Sequence, residues 1–139
     1  MSDVAALARE EVAARHDFFV RWFTGRAEEA AMEESTRAFA PDFRRVAPGG
    51  RVQGRGEVIA MLRQARGTRE RGFAIRVEVR EARSLDADLA LVLYDEHQVE
   101  GGAARPSRRA SALLGLDARA PGGVAWRHLQ ETWIDPAPG

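Results

Sequence analysis

The side chains able to do chemistry concentrate in residues 87–98, ADLALVLYDEHQ, where a phenol, two carboxylates, an imidazole and an amide stand side by side as Tyr94, Asp95, Glu96, His97 and Gln98. Read as a strand, with successive side chains on opposite faces, this run puts Tyr94, Glu96 and Gln98 on one side and Asp95 and His97 on the other. A carboxylate beside a phenol on one face offers a proton acceptor next to a hydroxyl that can stabilise a developing oxyanion. Near the end of the chain, residues 124–134, VAWRHLQETWI, alternate Trp126, His128, Gln130 and Thr132 with Arg127, Leu129, Glu131 and Trp133. His128 and Glu131 are three apart, and an odd separation in a strand sends them to opposite faces, which argues against a joint acid–base pair from that strand.

These groups need a scaffold, and the apolar pattern describes one. The first half of the 87–98 run, with Leu89, Leu91 and Leu93 alternating with Ala90 and Val92, is apolar on both sides and must be covered on both. Phe73, Ile75, Val77 and Val79 alternate with Ala74, Arg76, Glu78 and Arg80 in a preceding strand, and SRRASALLGL, residues 107–116, forms the next one after a turn at Gly101-Gly102. Upstream, Ser2 and Asp3 can cap a helix that places Val4, Ala8, Val12, Phe19, Trp22 and Phe23 on one side and stops near Gly25. Arg15 falls inside that apolar sector, where its stem can pack with its head in solvent or its guanidinium can take a buried polar role; His16 lies at the sector's edge, as a residue at the margin of the core. A second helix over residues 27–40 ends at Pro41, a short strand pair flanks Pro48-Gly49-Gly50, and a third helix spans residues 54–66. Helices followed by a four-strand antiparallel meander give an α+β fold with helices over one sheet face.

Composition bounds the function. A chain of 139 residues, 45% hydrophobic, builds one core and one domain over residues 1–139, with a tail at 135–139. Basic and acidic residues balance at 21 each, and neither arginine cluster, Arg63, Arg66, Arg69, Arg71 or Arg105, Arg108, Arg109, is interleaved with aromatic residues, so nucleic acid is not the expected partner. Cysteine is absent, which removes disulfides, thiol nucleophiles and zinc–thiolate sites. No second histidine or cysteine stands at metal spacing from His16, and no metal or cofactor is expected. The acidic start MSDVAALAREEV does not have the form of a secretory signal, and no membrane span is visible, so the expectation is a soluble cytoplasmic protein.

The segment FAPDFRRVAPGGRVQGRGEVIAML, together with ALVLYDEHQ, the R-A-S-A-L of Arg109 to Leu113 and W-R-H-L-Q-E-T-W, resembles the motifs of the nuclear transport factor 2-like superfamily, in its SnoaL-like and calmodulin-kinase-association-like branches. The resemblance implies a cone-shaped, curved antiparallel sheet wrapped around N-terminal helices, cystatin-like in outline, with a pocket at the open end and often a homodimer through the outer sheet face. It also implies which face is inward: Ala90, Val92, Tyr94, Glu96 and Gln98 from one strand, Arg109 and Ser111 from the next, and Trp126, His128, Gln130 and Thr132 from the last. Leu89, Leu91, Leu93, Leu129 and Trp133 then lie outside, an apolar face larger than a monomer usually exposes. The aspartate, tyrosine and protonated aspartate of the ketosteroid isomerases of this fold do not map residue by residue onto this chain.

The functional expectation is a small-molecule binding protein for a carbonyl or anionic ligand. The ligand contacts are Tyr94, Gln98, Arg109, Ser111, Trp126, Gln130, Thr132 and Arg15, with Glu96 and His128 as the candidate proton-transfer residues. Two alternatives stand beside it: an isomerase or cyclase acting by proton transfer on a ketone or polyketide-like substrate, and a dimeric interaction scaffold without a ligand. Glu96 and Arg109 are expected to meet across the hairpin, directly opposed if the turn centres on Gly102-Ala103 and diagonal if it centres on Gly101-Gly102.

Overall fold

In the computed structural model, which describes residues 3–134, the first helix, α1 (Val4–Phe23), begins where the Asp3 carboxylate accepts hydrogen bonds from the amides of Ala5 and Ala6. Ser2 and the tail at 135–139 lie outside the described residues. Val4, Ala8, Val12, Phe18 and Trp22 are buried along α1, which lies across the concave face of the sheet against β3 (Ala74–Ser84), β4 (Leu89–Glu100), β6 (Arg108–Leu116) and β7 (Val124–Trp133). Burying a larger side chain such as Val12 or Phe18 contributes about 1.5–3 kcal/mol relative to exposure. Burial also takes in Glu11, Arg15 and His16, so the inward stripe of α1 is not purely apolar.

The remaining elements are α2 (Glu29–Thr36), β1 (Phe39–Val46), β2 (Val52–Gly54), α3 (Arg55–Gln64) and the short β5 (Ala103–Ala104). The seven-stranded sheet runs β2-β1-β7-β6-β4-β3, with β5 on β4. β3, β4, β6 and β7 form the expected antiparallel meander, but β1 joins β7 in parallel, so the sheet is mixed. α2 is shorter than the helix expected over residues 27–40. Ala38 and Phe39 are drawn into the sheet instead, where the Ala38 carbonyl accepts from the Trp126 amide at 2.7 Å. Pro41, without an N–H to offer, sits inside the irregular stretch of β1 between Phe39 and Arg44 rather than at a helix end.

Besides the irregular stretch of β1, three irregularities bend the sheet and reset which side chains face the helices. Arg80 is an extra residue between the pairs Val79↔Tyr94 and Glu81↔Leu93, and Arg127 is another between Leu114↔Trp126 and Leu113↔His128. In the third, the turn at Gly101-Gly102, both at positive φ, pairs Glu100 with Ala103 and Val99 with Ala104. Arg105, Pro106 and Ser107 then stand opposite only Gln98 and His97 before Glu96 meets Arg108. Pro106 cannot donate to a ladder, which is a local reason for the offset.

The offsets overturn part of the expected parity, because a one-residue slip moves every later side chain to the other face. Arg108, not Arg109, opposes Glu96, while Arg109 opposes Asp95 on the outer face and donates to it at 2.7 and 3.1 Å. Glu96 and Arg109 therefore stand on opposite sheet faces, and neither expected register occurs at this point. Beyond the Arg127 bulge, Leu129 and Glu131 turn inward, and His128, Gln130 and Thr132 turn outward. Trp133 opposes Arg108 at the rim, with the guanidinium 4.9 Å from its ring centroid. A double-mutant cycle checks this register: stability losses of Asp95→Ala and Arg109→Ala are expected to be non-additive, and those of Glu96→Ala and Arg109→Ala additive.

Candidate functional site

Between α1, α3 and the concave face of the sheet lies a cavity of about 330 Å³, within the size range of small-molecule sites. Its walls are aromatic and aliphatic. α1 supplies Phe19 and Phe23, β1 supplies Phe39 and Phe43, α3 supplies Val58 and Leu62, and Phe73 stands ahead of β3. The polar groups collect at one end, from α1 (His16), β1 (Arg45), β4 (Tyr94, Glu96, Gln98), β6 (Arg108) and β7 (Glu131).

The geometry at this end assigns protons. His16 Nδ1 lies 2.7 Å from the Val12 carbonyl oxygen, which can only accept, so Nδ1 carries a hydrogen. Its Nε2 lies 2.9 Å from Glu96 Oε1, and one proton must occupy that contact. The other Glu96 oxygen accepts from Gln98 Nε2 at 2.6 Å and lies 3.8 Å from Arg108 Nε, an environment that favours the carboxylate. The pair is thus imidazolium and carboxylate. Burial opposes the His16 charge, but the hydrogen bond and charge of Glu96, the Val12 carbonyl and the Glu131 charge hold its pKa above the ordinary 6.5. Burial likewise opposes the Glu96 charge, and His16, Arg108 and Gln98 outweigh it, bringing that carboxyl down to about 2.

Glu131, also buried, accepts from Arg45 Nε at 2.6 Å and from Arg108 Nη1 at 3.4 Å, while Arg45 Nη1 donates to Gln53 Oε1 at 2.7 Å. Two donors are left over. The Tyr94 hydroxyl and Arg108 Nε are buried and have no hydrogen-bond partner among the described residues. Burial, followed by the charges of Glu131 and Glu96, raises the Tyr94 phenol well above 10, so it stays protonated and able to donate. The Tyr94 ring meets His16 edge-on at 5.3 Å and Trp126 at 6.3 Å.

Of the residues named from sequence, Tyr94, Glu96, Gln98 and Trp126 line this cavity. Arg109, Ser111, His128, Gln130 and Thr132 do not, since the offsets at 105–107 and at Arg127 put them on the convex face. Arg15 is also elsewhere. It is buried, but its guanidinium donates to Glu11 at 2.8 and 3.1 Å and to Ser35 Oγ at 2.7 Å, and Trp126 Nε1 donates to Glu11 Oε2 at 2.9 Å. This second network holds α1 to α2 and β7, and a Cβ at Gly122 would come within 2.7 Å of Glu11 Oε1.

His16, Arg45, Arg108 and Glu131 enter the site unannounced by strand alternation. For His16 a signal existed: Glu11, Arg15 and His16 all interrupt the apolar stripe of α1, which marks polar groups facing inward. On the convex face Glu78, Asp95 and His97 bring possible metal-ligand atoms within 4.8 Å of one another. Asp95 is already engaged by Arg109 and by Arg80 at 3.0 Å, so a metal there would have to displace guanidinium groups.

No protein-family model and no curated protein sequence matches the chain. Solved structures do. An NTF-2 like protein of unknown function, PA1314, from Pseudomonas aeruginosa superposes with a TM-score of 0.83 at 28% identity, over 93% of this chain and 99% of that one. A ketosteroid isomerase-like protein from Erwinia carotovora atroseptica gives a TM-score of 0.70 at 17% identity over 98% and 100% of the two chains. A putative calcium/calmodulin-dependent protein kinase type II association domain from Thiobacillus denitrificans gives 0.60 at 19% identity over 76% and 83%. By fold the chain is a member of the NTF2-like superfamily, as its motifs suggest. No helix among the described residues is long and apolar enough to cross a membrane.

The His16–Glu96 pair has a pH signature. A histidine with a raised folded pKa stabilises fully below its ordinary 6.5 and loses that contribution as pH climbs through the folded value. A carboxyl with a lowered pKa stabilises above its ordinary 4.5 and loses that contribution as pH falls toward about 2. Urea midpoints measured from about pH 3 to about pH 9 are therefore expected to peak between about 4.5 and about 6.5. His16→Gln should flatten the alkaline limb and Glu96→Gln the acid limb.

Proposed function

We propose that this protein binds a small molecule in the cavity beneath α1, with a carbonyl or anionic oxygen of the ligand accepting from the Tyr94 hydroxyl and facing the Arg108 guanidinium. The observation that carries this reading is the pair of buried, unpartnered donors at the polar end of an otherwise aromatic cavity. A buried hydroxyl without an acceptor costs about 1–3 kcal/mol, and a ligand oxygen offsets that cost on binding. Of the other ligand contacts expected from sequence, Gln98 and Trp126 also line this cavity, and the remaining five do not.

A proton-transfer enzyme acting on a ketone or polyketide-like substrate would need Glu96 as its base, since His128 is on the convex face. A carboxylate held at about 2 has little affinity for a carbon-bound proton. Both nitrogens of His16 are committed to acceptors, so no imidazole lone pair is directed at the cavity. Binding is the better-supported role.

We also propose a homodimer through the convex sheet face. Leu91 pairs directly with Leu113 there, flanked by Leu89 and Leu93, and none of the four packs into the core cluster. Leu129 no longer belongs to this patch, and Leu113 takes its place. Sedimentation is expected to show a dimer at low micromolar concentration, with Leu113→Arg giving a folded monomer.

Tyr94→Phe separates ligand binding from structural support. Removing an unpartnered buried hydroxyl should raise the stability of the ligand-free protein, by about 1 kcal/mol, while weakening retention of co-purifying small molecules in native mass spectrometry. A destabilised Tyr94→Phe protein would mean that the hydroxyl serves the fold and would remove the basis of this reading.

A further inference from the structure

The charges around the polar end of the cavity do not cancel. Arg45, Arg108 and the doubly hydrogen-bonded His16 supply three cations, against two carboxylates, Glu96 and Glu131. At the mouth, Arg69 is paired with Glu100 at 3.0 Å, and Arg105 approaches the same carboxylate at 3.2 Å, so no surplus negative charge there balances the interior. One positive charge in excess and two donors without acceptors point to the same deficit, an acceptor bearing a single negative charge. A neutral carbonyl, with two lone pairs, could accept from both donors but would leave the charge uncompensated. A dianion would overshoot it, and a cation would double it.

We infer that the ligand class of this cavity is a monocarboxylic acid, bound as its carboxylate against Tyr94 and Arg108, with an aromatic or aliphatic body in the pocket walled by Phe19, Phe23, Phe39, Phe43 and Phe73. The inference rests on the small-molecule reading above and commits it to one chemistry. Two carboxylate oxygens match two donors of different kind, a phenol and a guanidinium nitrogen. The apolar walls account for the body, because a small inorganic anion would leave them uncovered. His16 is part of the recognition through charge alone. It is surrounded by Tyr94 and Glu96 from β4, Arg108 from β6, and Trp126 and Glu131 from β7, and its proton supplies the excess charge that the ligand neutralises.

Calorimetric titration with matched pairs tests this, using 2-naphthylacetate against 2-naphthylacetamide and octanoate against octanamide, with 2-(2-naphthyl)ethylamine as the cationic control. The carboxylate of at least one pair is expected to bind at least about tenfold more tightly than its amide near pH 6, a factor worth about 1.4 kcal/mol. That preference should shrink as pH rises through the His16 titration. Arg108→Gln should reduce the preference, and because that variant removes a buried ion-pair partner, the pH dependence in the unmodified protein stands as a test that does not depend on its folding. Amides binding as well as the carboxylates, or the amine binding best, would overturn the monocarboxylate inference and leave the small-molecule reading in place. Failure of every probe to bind would overturn both.

Discussion

A carboxylate buried on the concave face of a sheet has to be compensated, and in this protein Glu96 draws α1, β4 and β6 together to do it. Its oxygens are shared between His16 from the helix and Gln98 from its own strand, with Arg108 near by on β6. Arg108 also reaches Glu131 on β7, which in turn holds Arg45 on β1, so the chain of ion pairs crosses four strands of the sheet. Replacing one partner would strand a buried charge, which is why such networks fix geometry even where their net stabilisation is small.

The curvature that makes the cavity has a separate origin. Arg80, Arg127 and the 105–107 segment each add a residue that the neighbouring strand does not match, and an unmatched residue bends and twists a sheet locally. Arg80 and Arg127 place their guanidinium groups on the acids Asp95 and Asp42, so the bulged positions are held by ion pairs. Of these, Arg127 with Asp42 is solvent-exposed and contributes little to stability, whereas Asp95 is buried, and Arg109 first and Arg80 second lower its pKa. Bending concentrates the apolar walls around α1 and leaves the cavity between the helices and the concave face.

Two polar networks flank α1 and do different work. Glu11, Arg15, Ser35 and Trp126 satisfy one another and tie the helix to its neighbours, with all three guanidinium nitrogens engaged. The network of His16, Glu96, Arg108 and Glu131 leaves a phenol and one guanidinium nitrogen without acceptors. A fully satisfied network specifies structure, and an incompletely satisfied one at a cavity wall is where recognition is built.

Local pattern alone determined the order and type of most elements, the Asp3-capped first helix and the four-strand meander. Each follows from periodicity or turn chemistry within a dozen residues, and the superfamily resemblance added which side of the sheet is concave. Tertiary structure decided the rest of the site. A bulge such as that at Arg127 is a property of two strands in register, invisible along one of them, and it exchanged His128, Gln130 and Thr132 for Leu129 and Glu131. The offset opposite His97 and Gln98 did the same to Arg109 and Arg108, although Pro106 carried a local hint of a break in the ladder. The second helix stopped early because the sheet edge competed for Ala38 and Phe39. His16 became part of the site because the helix crosses β4 where Glu96 needs a proton donor, a coincidence of two elements eighty positions apart that no local spacing encodes.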